Sequence, residues 1–266
     1  MSDVMIAGAS ELGRAREVGR DVALSLGRRR RDSGAPVRKL FVAALEPFDH
    51  TPPMADLLHG GRSGQVRLKL YLSVLWRTAK EPFEVSSPAR FWAELLGLPD
   101  PGGNGERRIR QAMRDLSDRR LLKVRGRGGQ PSVLQPLNDA GDGKKYSLPS
   151  TAYQRQKSAD PGHLWRHEYF KIPSALWTEG YMAQLSGPGL AMLLVLLSQQ
   201  RPHRPEVWIV RSTADQQFGL SERTRNKGLD ELRGLDLIST EMASIDDQGR
   251  TFGFSRRRNV HTVLLK

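Results

Sequence analysis

The chain has 266 residues, 42 Lys and Arg against 29 Asp and Glu, a formal net charge of +13 and no cysteine. That length accommodates one large domain or two small ones, and the charge points to an anionic partner such as nucleic acid, an acidic membrane surface or an acidic protein. Without cysteine, disulfides, zinc fingers and thiol catalysis are excluded.

Residues 1–36 are expected to form a basic N-terminal arm. Leu12, Ala15, Val18, Val22 and Leu26 recur at helical spacing, and Arg28, Arg29, Arg30 and Arg31 follow. A helix ending in cations suits its own dipole. Such an arm touches DNA, dimerises, or is a solvated extension. The longest apolar run, the eight residues 190–197, is of core length and too short for a membrane span. The N-terminus lacks the basic-then-apolar order of a signal peptide. The expected location is cytoplasmic, on nucleoid or plasmid, with no membrane partner.

Residues 37–149 and 164–266 are expected to be two domains joined by a linker, 150–163, which is polar, aperiodic and bounded by Pro and Gly. The two parts repeat each other. GERRIRQAMRDLSDRRLLKV (105–124) overlays SERTRNKGLDELRGLDLIST (221–240) at an offset of 116 without a gap. Glu106 falls on Glu222, Arg107 on Arg223 and Leu116 on Leu232. Upstream, LLGL (95–98) lies over QFGL (217–220), with residues 99–104 extra in the first copy. Each copy opens with an apolar helix (68–76, 189–198) and a short strand (82–85, 207–210).

In the second copy Ser212 is placed to cap a short helix over 213–218. Gly219-Leu220 suits a left-handed helix end, and Ser221 caps the next helix. Leu229 and Leu232 face inward, and Gly228 allows close approach to the preceding helix. Strands follow at 237–243, 251–255 and 260–265, with a turn at 246–249. Two helices joined by a Gly turn form a helix-turn-helix, and the added hairpin makes it winged. The expected fold is α+β, mostly helical, with two tandem winged helix-turn-helix domains behind the basic arm.

In a helix-turn-helix the second helix enters the major groove with its first residues at the base edges. Cations there oppose the dipole of a free helix, and DNA phosphates supply the missing negative charge. The expected DNA contacts of the first copy are Arg107, Arg108, Arg110, Gln111 and Arg114 on the charged helix and Arg125 and Arg127 on the wing. Those of the second are Ser221, Arg223, Thr224, Asn226 and Lys227, with hairpin cations Arg250, Arg256, Arg257 and Arg258. Arg, Asn, Gln and Lys are the side chains that read G and A edges. Ser87, Ser212 and Thr213 stand where helix N-termini meet phosphate. Residues 1–150 carry 26 Lys and Arg against 17 acids, and residues 151–266 carry 16 against 12, so the first part is expected to supply more of the salt-dependent affinity.

The stretch Ser221 to Leu229 resembles the recognition helix of GntR-type bacterial regulators, Ser-Arg-x-Thr-Val-Arg-x-Ala-Leu. Ser221, Thr224 and Leu229 match, and Gly228 replaces the Ala. Glu222 replaces an arginine that in such domains touches DNA, which changes the specificity. Arg225 replaces Val, which implies packing against the domain and leaves Arg223, Asn226 and Lys227 as the contacts. The resemblance covers about 30 residues. The whole arrangement resembles bacterial plasmid replication initiators, with residues 168–197 as the lead-in to the second domain. It implies sequence-specific binding of double-stranded DNA by a homodimer or an array on repeated sites. Alternatives are a transcription repressor with one domain for DNA and one for dimerisation, and a winged-helix docking scaffold.

Trp76, Phe83, Phe91 and Trp92 are expected in the first core, and Trp165, Trp177 and Trp208 in the second. His163 and His167 are four apart, but no third ligand is evident, so no metal is expected. Gly141-Asp142-Gly143-Lys144-Lys145 lacks the spacing and hydroxyl of a phosphate loop. No enzyme, cofactor or small-molecule substrate is expected.

Overall fold

The computed structural model describes residues 2–27, 34–45, 50–59, 63–127, 129–201, 203–245 and 256–266. The chain is α+β, about 54% helical with small antiparallel sheets. Helix α1 (Ser2–Gly27) leads. The first repeat then runs β1 (Ala35–Arg38), a 3₁₀ turn (Lys39–Phe41), α2 (Pro53–Leu58), α3 (Gly64–Arg77), β2 (Val85–Ser86), α4 (Ala89–Leu95), α5 (Asn104–Asp118), β3 (Leu122–Arg127) and β4 (Gln130–Pro136). After α6 (Pro149–Ala159) and a 3₁₀ segment (Pro161–His167), the second runs β5 (Tyr169–Ile172), α7 (Ala175–Thr178), α8 (Tyr181–Gln184), α9 (Gly187–Gln199), β6 (Glu206–Val207), α10 (Arg211–Phe218), α11 (Glu222–Gly234), β7 (Ile238–Ile245) and β8 (Arg256–Val263). The order of elements is the same twice. The three-stranded sheets agree too, β2-β4-β3 and β6-β8-β7, each with the last strand in the middle.

Periodicity explains the layers. Helices α3 and α9 are buried on nearly every side; α9 is apolar all round, as such burial asks, while α3 also buries Arg67, Lys69 and Ser73. Helices α5 and α11 are amphipathic. Ile109, Ala112, Met113 and Leu116 bury one face of α5 at helical spacing and leave the charges outside. The cores of both repeats merge into one apolar cluster.

The joint between the repeats is partly polar. Strand β1 pairs antiparallel with β5, Ala35 opposite Ile172 and Arg38 opposite Tyr169. One face of α3, at residues 65, 69, 73 and 76, meets the second repeat. Gln65 Nε2 donates to the Leu185 carbonyl at 3.3 Å and Lys69 Nζ to the Ala183 carbonyl at 3.1 Å. Trp177 Nε1 donates to Ser73 Oγ at 2.9 Å, and Trp76 stacks on Trp177 with centroids 4.8 Å apart. Burial pushes the Lys69 amine down to about 7; Arg16 and Arg108 act the same way and Glu231 opposes them.

The ends and connections differ from expectation. The arm's helix is present, but it is docked on α4, α7 and α8, and Ala35 and Pro36 belong to β1. Its contact face includes Gly19 and Ala23, while Leu12 and Val18 are exposed. A Cβ on Gly19 would stand 2.9 Å from the Glu94 carbonyl oxygen, so small residues set this close approach and a search for large apolar side chains misses them. Arg28, Arg29, Arg30 and Arg31 lie outside the described residues. The expected linker is helical: Pro149 starts α6 at a position that needs no N–H, and Tyr153 docks it edge-on to Tyr169 of β5. The helix is exposed almost all round, so it left no apolar period to read. Trp177 is buried as expected, but Trp165 and Trp208 are each 40% exposed. The expected turn at 246–249 and strand at 251–255 lie outside the described residues. Among the described residues no helix is long and apolar enough to cross a membrane.

Lys69 yields a pH prediction. Its ordinary value is 10.5 and its folded value about 7, so between those values the unfolded chain holds the extra proton and stability rises with pH. Lys69→Met removes that titration. From about pH 7 to about 9.5, urea unfolding should show the native chain gaining stability relative to the variant. Parallel profiles would contradict a neutral Lys69.

Candidate nucleic-acid interface

The turn before α11 is built as its sequence suggests. Gly219 takes the left-handed conformation at φ 62° and ends α10. Ser221 Oγ accepts from the Thr224 N–H at 3.3 Å and caps α11. The two hydroxyls also bond each other at 2.9 Å, so Ser221 and Thr224 act here as a cap. Arg225 is buried. It pairs with Asp215 of α10 and donates to the Leu220 carbonyl, so it clamps the two helices where a GntR-type domain has Val.

Arg223, Asn226 and Lys227 have no hydrogen-bond or ion-pair partner among the described residues. All three are exposed and line a shallow surface with Glu222 and Asp230. Beside them an open cleft of about 680 Å³ separates α11 from β8. Its walls include Asn226, Leu229 and Arg233 on one side and Arg257, Arg258, Asn259 and His261 on the other. Arg233, Asn259 and His261 were not foreseen. Arg233 stands seven residues after Asn226, two turns along the same face, and that spacing could have found it. His261 is buried and shares a 2.9 Å hydrogen bond with Thr240. Burial, with Arg233 nearby, lowers its pKa below the ordinary 6.5. Arg250 lies outside the described residues, as do the side chains of Arg127, Ser212 and Arg256.

Helix α5 differs in how its charges are held. Arg107 Nη2 donates to Asn104 at 3.2 Å, and Arg110 pairs with Glu106. Arg114 Nη2 donates to Gln111 at 2.6 Å, and Gln111 Nε2 to Asp115 at 2.6 Å. Arg108 is exposed and has no such partner among the described residues. Arg125, on β3, pairs with Glu84. Exposed pairs of this kind contribute only about 0.2–0.5 kcal/mol each, so an incoming phosphate displaces them easily.

Two carboxylates tie these helices to their scaffolds, and they occupy the same repeat position, residues 115 and 231. Asp115 accepts from Arg67 of α3 at 3.0 Å. Arg67 also donates to the Leu57 and His59 carbonyls at 3.0 and 2.6 Å. Glu231 accepts from the Ser186 N–H at 2.7 Å and from its hydroxyl, at the start of α9. The 116-residue offset aligns the pair in the sequence, but nothing in one sequence says where their partners stand. A Cβ on Gly228 would lie 2.4 Å from the Pro188 carbonyl oxygen and 2.6 Å from Met192. The close approach it permits is therefore to α9, and not to the preceding helix α10.

The expected Ser212 cap is not formed, since α10 already starts at Arg211. The residue before α4 is Pro88 and the one before α10 is Val210, and neither offers a side-chain cap. Ser87 is half-buried two residues ahead of the start of α4, and Thr213 is half-buried in the first turn of α10. His163 pairs with Asp160, and among the described residues no group of three or more His, Asp and Glu could hold a metal ion. No family model, curated protein or solved structure matches the chain.

Asp115 gives a second prediction. Burial raises its pKa, but the hydrogen bonds from Gln111 and Arg67 and the charges of Arg67 and Arg119 outweigh that and hold it below the ordinary 3.8. A depressed carboxylate stabilises above its unfolded value and loses that contribution as pH falls through the folded one. Asp115→Ala should cost about 1–3 kcal/mol at pH 7, since Arg67 loses its charged partner. In urea melts the deficit should shrink as pH drops below 3.8. A deficit that is unchanged in acid would contradict the tie.

Proposed function

We propose that this chain binds double-stranded DNA through two winged helix-turn-helix units, with α5 and α11 as the major-groove helices and the β3–β4 and β7–β8 hairpins as wings. The observation that carries this is the presentation of Arg223, Asn226 and Lys227. They stand without a partner among the described residues on the first turns of α11, beside Arg257 and Arg258 of the hairpin. Cations at that helix end work against the dipole until an anion arrives, and a DNA backbone is such an anion. The same scaffold recurs behind α5, whose outward face is arginine-rich. Supporting it are the capped turn and the carboxylate ties at 115 and 231.

Arg, Asn and Gln on these helices read bases, and the hairpin cations hold phosphates. The biological role that fits the resemblance is initiation or control of replication of a bacterial plasmid or other mobile element. The test is selection of genomic fragments by the purified chain at about 150 mM salt, followed by footprinting. Protection of sites clustered near an origin supports this role, and a lone palindrome at a promoter supports a transcription regulator. No enrichment over random fragments refutes specific DNA binding.

On the selected site, Asn226→Ala and Arg110→Ala should each weaken binding by ~1–3 kcal/mol and relax specificity at one position. Arg257→Ala should weaken all sequences alike and reduce the salt slope by about one. Equal losses on specific and random DNA for Asn226→Ala would refute its base-reading role.

A further inference from the structure

The second repeat departs from the first where three apolar positions become polar. The 116-residue offset sets Arg225 over Ile109 and Thr240 over Val124. Val124 pairs with Leu134 across its sheet, and Thr240 pairs with His261, so His261 stands where the first repeat has Leu134. Ile109 and Leu134 are fully buried in the apolar core. Their counterparts are buried too, Arg225 at 6% and His261 at 5% exposure. Burying a polar side chain costs free energy unless it is bonded, and the first repeat closes the same scaffold with aliphatic side chains. Broken local rules of this kind fall at functional positions.

Both residues line the cleft between α11 and β8. Arg225 is engaged by Asp215 and the Leu220 carbonyl. For His261, Thr240 engages Nδ1 at 2.9 Å, and Nε2 has no partner among the described residues. Where the Thr240 hydroxyl donates, Nε2 carries the ring proton and is a donor. Arg257 and Arg258 share the cleft and have no hydrogen-bond or ion-pair partner among the described residues. Arg233, paired with Asp230, adds a third cation, and Glu222 is the acid of the cleft. Ile209, Val210 and Leu229 give it an apolar wall. Its volume of about 680 Å³ is that of a small-molecule site.

We propose that this cleft binds a free mononucleotide, with its phosphate on Arg257, Arg258 and His261 and its base against the apolar wall, and that the bound nucleotide excludes DNA from α11. Guanidinium groups match phosphate oxygens two at a time. The Asn226 and Asn259 amides at the cleft suit base edges. A DNA backbone carries the same phosphate, but a duplex meets the rim of the cleft, whereas His261 is buried at its floor. The exclusion rests on the DNA-binding function proposed above, because Asn226, Arg257 and Arg258 serve both ligands. The nucleotide site itself stands apart from that function.

The His261 imidazole resonances of the full chain report on the floor of the cleft. Titration with AMP and GMP should move them with a Kd on the order of 1 mM or tighter, and inorganic phosphate should bind about tenfold more weakly. Adenosine, which has no phosphate, should leave them in place. Resonances unmoved by either mononucleotide at about 10 mM overturn the site. Equal affinity for phosphate and mononucleotides overturns the nucleotide assignment, and so does a response to duplex DNA alone. His261→Leu with Thr240→Val copies Leu134 and Val124 of the first repeat, so the variant should keep its urea transition. Calorimetry on it should show AMP binding about tenfold weaker, and full affinity in the folded variant overturns the role of His261. Arg257→Ala, at an exposed position, should lower AMP affinity by about the same factor and keeps the test open if the double variant fails to fold. On the footprinted site, saturating AMP should weaken DNA binding, and DNA should weaken AMP binding by the same factor. Independent binding of the two overturns the exclusion. AMP binding by a chain that selects no DNA upholds the cleft and removes the DNA function, and DNA selection without AMP binding does the reverse.

Discussion

Residues 35–38 and 169–172 form two short strands with no third partner among the described residues, yet they hold the two repeats in register. Arg38 of that ribbon is buried. It pairs with Asp139, and its Nη2 reaches the Ser147 carbonyl at 3.1 Å, so the ribbon is also fastened to the end of the first repeat. Around this seam the apolar surfaces of α3 and α9 face inward and merge. A seam with a buried lysine amine and a buried indole N–H places both donors opposite acceptors, because an unsatisfied buried polar group costs roughly 1–3 kcal/mol. A greasy joint tolerates sliding, whereas this one has a single register in which the Lys69, Gln65 and Trp177 bonds all form.

Elements with a clear hydropathy period or a local cap can be read from the residues alone. The amphipathic stripe of α5, the apolar run of α9, the left-handed Gly219 and the Ser221 cap were all legible, because each is decided within a few residues. Arg225 was legible as a packed residue for a related reason: an arginine in a position that suits Val must find a local carboxylate, and Asp215 is one helix away. Contacts set by distant chain were not. Gly19 and Ala23 give α1 its docking face by being small, and smallness has no hydropathy signal. Helix α6 buries too little to show a period. Asp115 and Glu231 look like ordinary surface acids until the starts of α3 and α9 are placed beside them. Trp165 lies at the surface with the Arg166 guanidinium 5.0 Å over its ring.

The two repeats share a scaffold but present their polar groups differently. On α5 most outward side chains are already bonded to neighbours three or four residues away. Such bonds are weak in water, but they limit rotamers and hold the guanidinium groups as an ordered row. On α11, Arg223, Asn226 and Lys227 have no such partners among the described residues, and the ordered element is the backbone beneath them, fixed by Ser221, Arg225 and Glu231. One repeat therefore orders its side chains in advance and the other orders the platform. A ligand loses less side-chain entropy on the first and adapts more readily on the second.

The β1–β5 pairing also affects how the chain folds. It joins segments more than a hundred residues apart, and α1 waits for residues of both repeats before it can dock. At equilibrium the long separation matters little, since doubling a loop adds only about 0.6 kcal/mol to its closure. Kinetically it matters more, because non-local pairing slows folding. During synthesis α1 and β1 emerge ahead of their partners and wait until most of the residues that pair with them have followed. Through that interval β1 is an open strand edge and the Trp76 face of α3 is uncovered, the kind of surface that recruits chaperones or a second nascent chain.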